Sequence, residues 1–159
     1  MSVPKICFDA MLWDAILTGD TSKDLDSCRG WMKRATEMKV SVVVPTIIVA
    51  EVHANPDRNA VEQFRKTLSL PCIKIVDVSV GIAEFSGDLR REVLNKKWEL
   101  KAFDSLVIAT AEKAGCKYVF SEDGRVQRMD RYHCLTVRCV PPHEGLDDHP
   151  LFEGCDLES

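Results

Sequence analysis

Four acidic residues that are far apart in the sequence stand at the ends of apolar segments. They are Asp9 after "PKICF", Glu51 within "TIIVAEVHA", Asp104 at the start of "DSLVIATAEKAG" and Asp123 at the end of "KYVFSED". Clustered carboxylates raise one another's pKa, so a fold keeps them together only if something offsets their repulsion. Mg²⁺ and Mn²⁺ do so, because these ions bind carboxylate oxygens, waters and phosphates. Since such ions can activate a water against a phosphodiester, the residues indicate metal-dependent phosphodiester hydrolysis.

Each of these acids, taken alone, has a simpler explanation. Asp9 and Asp104 suit helix caps, Glu51 suits the solvated face of an amphipathic helix, and Asp123 followed by glycine is a common turn pair. Only their joint placement favours a site. The chain also has no Walker loop, no glycine-rich dinucleotide turn and no serine or cysteine nucleophile motif, so other chemistries lack support.

Alternating strands and helices must position the acids. Apolar runs predict strands over residues 4–8, 40–45, 73–79, 117–123 and 134–140, and helical spacing predicts helices over 10–17, 21–39, 46–54, 56–68, 80–97 and 104–115. This order predicts an α/β three-layer sandwich, with a five-stranded parallel sheet flanked by helices. The carboxyl ends of parallel strands share one edge, where ligands bind. The helix that begins at Asp104 runs antiparallel to the strands, so we expect the acids to meet at that edge.

Composition indicates one soluble domain and an acidic tail. The chain has 159 residues, of which 45% are hydrophobic and 29% charged, and no apolar run reaches membrane length. The start of the sequence lacks a signal-peptide core and the seven cysteines form no Cys-x-x-Cys pair, so we expect a cytoplasmic protein. Residues 141–159 contain six acids, three prolines and no Lys or Arg, which predicts an irregular tail. The charge of the tail is −6 and the net charge of the whole chain is −4. The domain of residues 1–140 therefore carries a net charge of +2.

The ordered motifs resemble the PIN-domain ribonucleases, among which VapC-like toxins are similar in size. The matching segments, over residues 4–140, are "ICFDA" with Asp9, "VPTIIVAEV" with Glu51, "DSLVIATA" with Asp104 and "VFSED" with Ser121 and Asp123. The resemblance implies an RNA-cleaving enzyme that uses Mg²⁺ or Mn²⁺ held by Asp9, Asp104 and Asp123. It also implies that Glu51 completes the site or positions water and that Ser121 orients a ligand. Many small members are toxins held inactive by an antitoxin protein, and homodimers are common.

The sequence departs from the family pattern directly after the first acid. Ala10 and Met11 occupy positions where the family has Ser or Thr and then Asn, which support that acid. A PIN-like scaffold that binds RNA or a protein without cleaving therefore stays an alternative. A receiver-type phosphoacceptor domain is less favoured, because Val140 and the two prolines after it replace the lysine which that class needs.

Basic and metal-ligating residues elsewhere have two interpretations each. Arg125 lies close enough to Asp123 to contact a scissile phosphate, or it forms a surface ion pair. A rim around Trp98 could hold phosphates and stack a base, or form a solvated helix face over a core tryptophan; its members are Arg90, Arg91, Lys96, Lys97 and Lys101. Zinc is disfavoured, because Cys134 and Cys139 lie five apart on a predicted strand and would point to opposite faces.

Overall fold

The five predicted strands form one parallel sheet. The computed structural model describes residues 3–19 and 24–148, with side chains up to residue 145. The strands are β1 (Lys5–Phe8), β2 (Ser41–Pro45), β3 (Ile73–Val76), β4 (Tyr118–Phe120) and β5 (Arg138–Val140), in the order β3-β2-β1-β4-β5. Every neighbouring pair is parallel, which confirms the predicted α/β fold.

Helices cover both faces of this sheet. They are α1 (Ala10–Thr18), α2 (Leu25–Thr36), α3 (Thr46–His53), α4 (Arg58–Leu68), α5 (Val80–Asn95), α6 (Ala102–Lys113), α7 (Gly124–Gln127) and α8 (Pro142–Asp148). Local chemistry sets several boundaries: Asp57 caps α4 through the N–H groups of Asn59 and Ala60, and α1 stops at Gly19, which has a φ of 70°. Right-handed crossovers place α1 with α2, α3 and α4 on one face, and α5 with α6 on the other.

The sheet reverses its winding between β1 and β4. From β1 the chain adds β2 and β3 on one side, then crosses to add β4 and β5 on the other. The pairing continues one residue past β1, where the N–H of Asp9 donates to the carbonyl of Phe120 at 3.0 Å. The carboxyl ends of β1 and β4 therefore border the crevice where open α/β sheets bind ligands.

The core lies on the central strands because helices cover them on both sides. Ile6, Cys7 and Phe8 of β1 are fully buried, as are Val119 and Phe120 of β4. The described cysteines are free thiols, and most are buried. Within the described ranges, no helix is both long and apolar enough to cross a membrane.

The C-terminal segment differs from the sequence-based expectation of an irregular tail. Residues 142–148 form α8, with Pro142 at its first position, where a proline needs no N–H partner. The indole Nε1 of Trp31 donates to the carbonyl of Pro142 at 3.0 Å, and Gly145 lies against the rings of Phe120 and Trp31. Packing on α2 therefore orders a segment whose composition alone favours disorder. Residues 149–159 lie outside the described part, and the division at residue 140 stays a prediction.

Candidate active site

Asp9 is a buried carboxylate at the end of β1. It caps α1, because its Oδ1 accepts a hydrogen bond from the N–H of Leu12 at 3.0 Å. Its Oδ2 accepts a hydrogen bond from the hydroxyl of Ser121. Burial raises the pKa of Asp9 from 3.8 to about 6; the two hydrogen bonds oppose this shift, and the charges of Asp104 and Asp123 add to it.

The segment from Ser121 to Asp123 continues this arrangement beyond β4. Ser121 is fully buried, and its N–H donates to the carbonyl of Val140 at 3.1 Å. Its hydroxyl oxygen accepts from the N–H of Asp123 at 3.0 Å while it donates to Asp9. Asp123 in turn caps α7 by accepting from the N–H of Arg125 at 2.8 Å. One chain of hydrogen bonds thus joins the ends of β1 and β4.

Asp104 lies in the first turn of α6 and is not the helix cap. Helix α6 begins at Ala102, two residues before the predicted start, and Lys101 occupies the cap position without a side-chain cap bond. The pKa of Asp104 is raised by burial and by the charge of Asp123, while Lys101 and Arg125 lower it. Its simpler explanation as a cap therefore does not hold, and its carboxylate lies within electrostatic reach of Asp123.

Glu51 is the sixth residue of α3 and its side chain is exposed. Within the part of the chain that the structure describes, its carboxylate makes no hydrogen bond or ion pair. The charges that raise the pKa of Asp9 come from Asp104 and Asp123. The structure thus places three aspartates within electrostatic reach of one another, with Ser121 bonded to Asp9, and the role of Glu51 stays a prediction.

The three aspartates supply a donor set that fits Mg²⁺ or Mn²⁺. Two of them have a raised pKa to which neighbouring carboxylates contribute, so a divalent cation among them would remove an unfavourable interaction. Among the described residues, the carboxylate oxygens of Asp9, Asp104 and Asp123 do not all lie within 4.8 Å of one another. Mg²⁺ keeps several of its waters and binds through only one or two carboxylates, so it would not need all three aspartates as direct ligands.

Two cations border the aspartates. Lys101 and Arg125 are both exposed, and both lower the pKa of Asp104, so their charges act on this site. Other members of the basic rim are engaged elsewhere: the Nε of Arg90 donates to the carbonyl of Leu100 at 3.1 Å, and Arg91 pairs with Asp88 at 3.4 Å. Of the basic residues around Trp98, Lys101 therefore acts on the site, whereas Arg90 and Arg91 on α5 make other contacts.

Trp98 does not stand free as a stacking platform. It is half-buried against the core, its ring centroid lies 6.3 Å from that of Tyr132, and the guanidinium of Arg128 lies 6.0 Å from its ring centroid. These contacts favour the interpretation of Trp98 as a packing residue.

A second polar network, which sequence reasoning missed, adjoins the segment that carries Ser121 and Asp123. Glu122 accepts from the N–H of Asp24 at 3.2 Å, and Asp24 contacts the Nδ1 of His143 on α8 at 2.6 Å. Asp24 is only 5% exposed. No motif marks these residues; their only signal is the position of Glu122 between two site residues. The network links α2 and α8 to the loop that presents the site.

The fold and the site define an α/β domain with three aspartates near its winding reversal, and comparison with known families identifies it. The family model of the PIN domain matches residues 6–132, and the chain belongs to this family. Members of the PIN domain family are nucleases. The resemblance inferred from the four motifs is thereby confirmed.

Solved structures share the fold at low sequence identity. VapBC2 from Rickettsia felis, crystallised with a DNA fragment from its promoter, is 14% identical over 85% of this chain and 98% of its own, with a TM-score of 0.66. FitAcB from Neisseria gonorrhoeae is 18% identical over 87% and 98%, with a TM-score of 0.60. VapC20 from Mycobacterium tuberculosis, a sarcin-ricin loop cleaving toxin, is 19% identical over 75% and 90%, with a TM-score of 0.56. No curated protein matches the chain by sequence.

Proposed function

We propose that this protein is a metal-dependent endoribonuclease in which Asp9, Asp104 and Asp123 hold Mg²⁺ or Mn²⁺. The observation that carries the proposal is the buried Asp9 carboxylate, whose pKa is raised to about 6 at the reversal of the sheet, beside two further aspartates. The ionised form of such a buried carboxylate is unfavourable, and a bound cation would offset that unfavourable free energy. When bound, the ion supplies an activated water and stabilises the leaving oxygen of a phosphodiester.

The surrounding residues orient the site and the substrate. The hydroxyl of Ser121 and the N–H of Leu12 fix both oxygens of Asp9, so this ligand is ordered before a metal arrives. Arg125 and Lys101 supply positive charge beside Asp104, where substrate phosphates would lie. Glu51 completes the site or positions a water from α3.

We further propose that the protein is cytoplasmic and that its substrate is RNA. We also propose that an antitoxin protein binds it and that it forms a homodimer. Support for RNA comes from the family and from VapC20, which cleaves the sarcin-ricin loop. Support for an antitoxin comes from similar folds that were crystallised as toxin–antitoxin assemblies, including a complex from Klebsiella pneumoniae that is 21% identical, with a TM-score of 0.56. Reconstitution with the product of a neighbouring small reading frame, followed by size-exclusion chromatography with light scattering, would test both assemblies.

Replacement of Asp104 by asparagine tests the site. Asp104→Asn keeps nearly the same shape and removes one anionic ligand, so Mn²⁺ binding by calorimetry and Mn²⁺-dependent RNA cleavage should both fall. Asp88→Asn is the matched control, because Asp88 is an exposed acid on α5 that pairs with Arg91. Equal stabilisation of wild type and Asp104→Asn by Mn²⁺, or undiminished cleavage by the variant, would contradict the assignment.

A second candidate function is a scaffold that binds RNA or a protein without cleaving. Ala10 and Met11 favour it, since they offer no polar group to Asp9 and Met11 is 58% exposed. Among the described residues, only Ser121 and Leu12 donate to that carboxylate. A scaffold need not bind Mn²⁺, so the same calorimetric titration separates the two functions.

A further inference from the structure

Three side chains of different chemistry converge on the surface beside α5. The Nε2 of His133 lies 3.1 Å from one carboxylate oxygen of Glu92, and the Sγ of Cys134 lies 3.8 Å from the other. All three ligand atoms lie within 4.8 Å of one another. Glu92 belongs to α5, whereas His133 and Cys134 lie in the turn between α7 and β5, so tertiary folding assembles the cluster.

We propose that Glu92, His133 and Cys134 form a binding site for Zn²⁺ or a similar borderline-soft divalent cation. Imidazole nitrogen, thiolate sulfur and carboxylate oxygen are the ligands that Zn²⁺ takes, at about 2.0 to 2.3 Å. Ligands at those distances in a tetrahedral shell are about 3.3 to 3.6 Å apart. The separations of 3.1 and 3.8 Å, measured to the two oxygens of Glu92, are close to that range, so side-chain movements could bring the three ligand atoms around one ion.

The charges around the cluster also suit a cation. Glu92 and a thiolate at Cys134 would together balance the two charges of Zn²⁺. Burial and the Glu92 carboxylate raise the pKa of the Cys134 thiol, and a bound metal reverses that effect on the thiolate. Of the cations nearby in sequence, Lys96 lies against the ring of Tyr132 at 4.7 Å, and Tyr132 itself packs on His133.

The cluster is separate in residues and in chemistry from the aspartates of the proposed active site. Three protein ligands leave a fourth position for water, and the mixed N, O, S set disfavours Mg²⁺. Sequence reasoning disfavoured zinc because it paired Cys134 with Cys139. Strand β5, however, begins only at Arg138, and the partner of Cys134 is Glu92, 42 residues away in the chain. A metal here would tie α5 to the turn that packs against Trp98 through Tyr132.

The full-length protein, stripped of metal with a chelator, is titrated with Zn²⁺ against a chromophoric competitor in excess Mg²⁺. We expect one tight Zn²⁺ per chain, and a thiolate-to-metal charge-transfer band when Co²⁺ replaces it. Cys134→Ser and His133→Gln should each weaken Zn²⁺ binding by at least about 10- to 100-fold. Loss of a residue that only supports a ligand already has an effect of that size, and these two changes remove a direct ligand. His53→Gln, which changes another exposed histidine, on α3, should bind Zn²⁺ like wild type.

The charge-transfer band separates this proposal from the proposed nuclease site. It should disappear in Cys134→Ser and persist in Asp104→Asn, whatever the outcome of the RNA cleavage assay. Circular dichroism of each variant verifies its fold, and Cys134→Ser changes a single atom. Zn²⁺ binding of equal strength in wild type and Cys134→Ser, or no Co²⁺ band in wild type, would overturn the proposal.

Discussion

Replacement of Asp9 by asparagine should stabilise the metal-free protein at neutral pH. Because the pKa of Asp9 is raised to about 6 in the folded chain, the folded chain binds more protons than the unfolded chain between about pH 4 and pH 6. The free energy of unfolding of the wild type therefore falls as the pH rises through that window, and stays lower above it. Asparagine carries no charge at any of these pH values, so the variant avoids this loss.

The structure sets the size of the effect. The difference between the usual pKa of 3.8 and the folded value of about 6 corresponds to about 3 kcal/mol, at about 1.4 kcal/mol per pH unit. Asp9 is only 8% exposed, so solvent screens little of this cost. Asparagine can still accept the capping bond from Leu12, but it loses the charged acceptor for the hydroxyl of Ser121. We therefore expect a net gain below about 3 kcal/mol above pH 7.

Urea unfolding at pH 4 and pH 7.5, each in EDTA and in Mn²⁺, measures the prediction. In EDTA the variant should gain on the wild type as the pH rises; in Mn²⁺ the wild type should recover, because the ion stabilises its carboxylate. Asp57→Asn is the matched control, since Asp57 also caps a helix but is exposed. The reasoning fails if Asp9→Asn and wild type show the same change in unfolding free energy between the two pH values in EDTA.

Three further predictions concern the neighbours of the site. Ser121→Ala should destabilise the protein at pH 7 by about 1–3 kcal/mol in urea unfolding, because the buried Asp9 carboxylate loses its donor. Arg125→Ala should lower the salt slope of RNA binding, measured by fluorescence anisotropy, by about one unit or less. Gly145→Ala should cost about 1–3 kcal/mol through overpacking, measured by thermal unfolding, whereas Gly87→Ala in the open interior of α5 should stabilise by about 0.5–1 kcal/mol.

Each of these predictions has a control in which a residue of the same type is replaced at a position away from the site. Ser86→Ala removes a buried hydroxyl that bonds Ser105 at 2.6 Å, with no carboxylate involved, and should destabilise the protein less than Ser121→Ala in the same urea unfolding experiment. Arg58→Ala removes an exposed charge from the first residue of α4 and should keep the salt slope. A Ser121→Ala protein as stable as wild type, or an Arg125→Ala protein with the wild-type slope, would contradict the corresponding argument.

The sequence predicted the sheet because it follows from local signals and topology. Of the four acids expected at one edge, Asp9, Asp104 and Asp123 influence one another's charge, whereas the place of Glu51 in the site stays a prediction. Apolar runs identified the strands, and a parallel sheet brings the ends of its strands to one edge whatever the lengths of the loops. Asp9 and Asp123 were therefore placed by their position after β1 and β4 alone. The start of α6 was less well predicted, since Ala102 and Phe103 extend the helix and put Asp104 inside its first turn.

Long-range partnerships between polar side chains could not be predicted. Nothing near Glu92 in the sequence indicates that Cys134 lies 3.8 Å away, because a turn of irregular backbone brings them together. The same holds for Asp24, whose partner His143 follows 119 residues later. Side-chain convergence of this kind depends on loop geometry, which hydrophobic periodicity does not encode.

Helix α8, despite its acidic sequence with a proline at its start, packs against the strand residue that precedes Ser121. Its Gly145 lies so close to Phe120 that an added Cβ would be 2.6 Å from the ring, and the rings of Phe120 and Trp31 have centroids 4.9 Å apart. Phe120 ends β4 directly before Ser121, the residue that holds Asp9. A methyl group at position 145 must therefore displace α8, move the ring of Phe120 or shift the strand end that presents Ser121. If the strand end shifts, Gly145→Ala lowers Mn²⁺ affinity in calorimetry as well as the melting temperature. Unchanged Mn²⁺ affinity at a lowered melting temperature would mean that the strand end stays in place and that α8 supports only the fold.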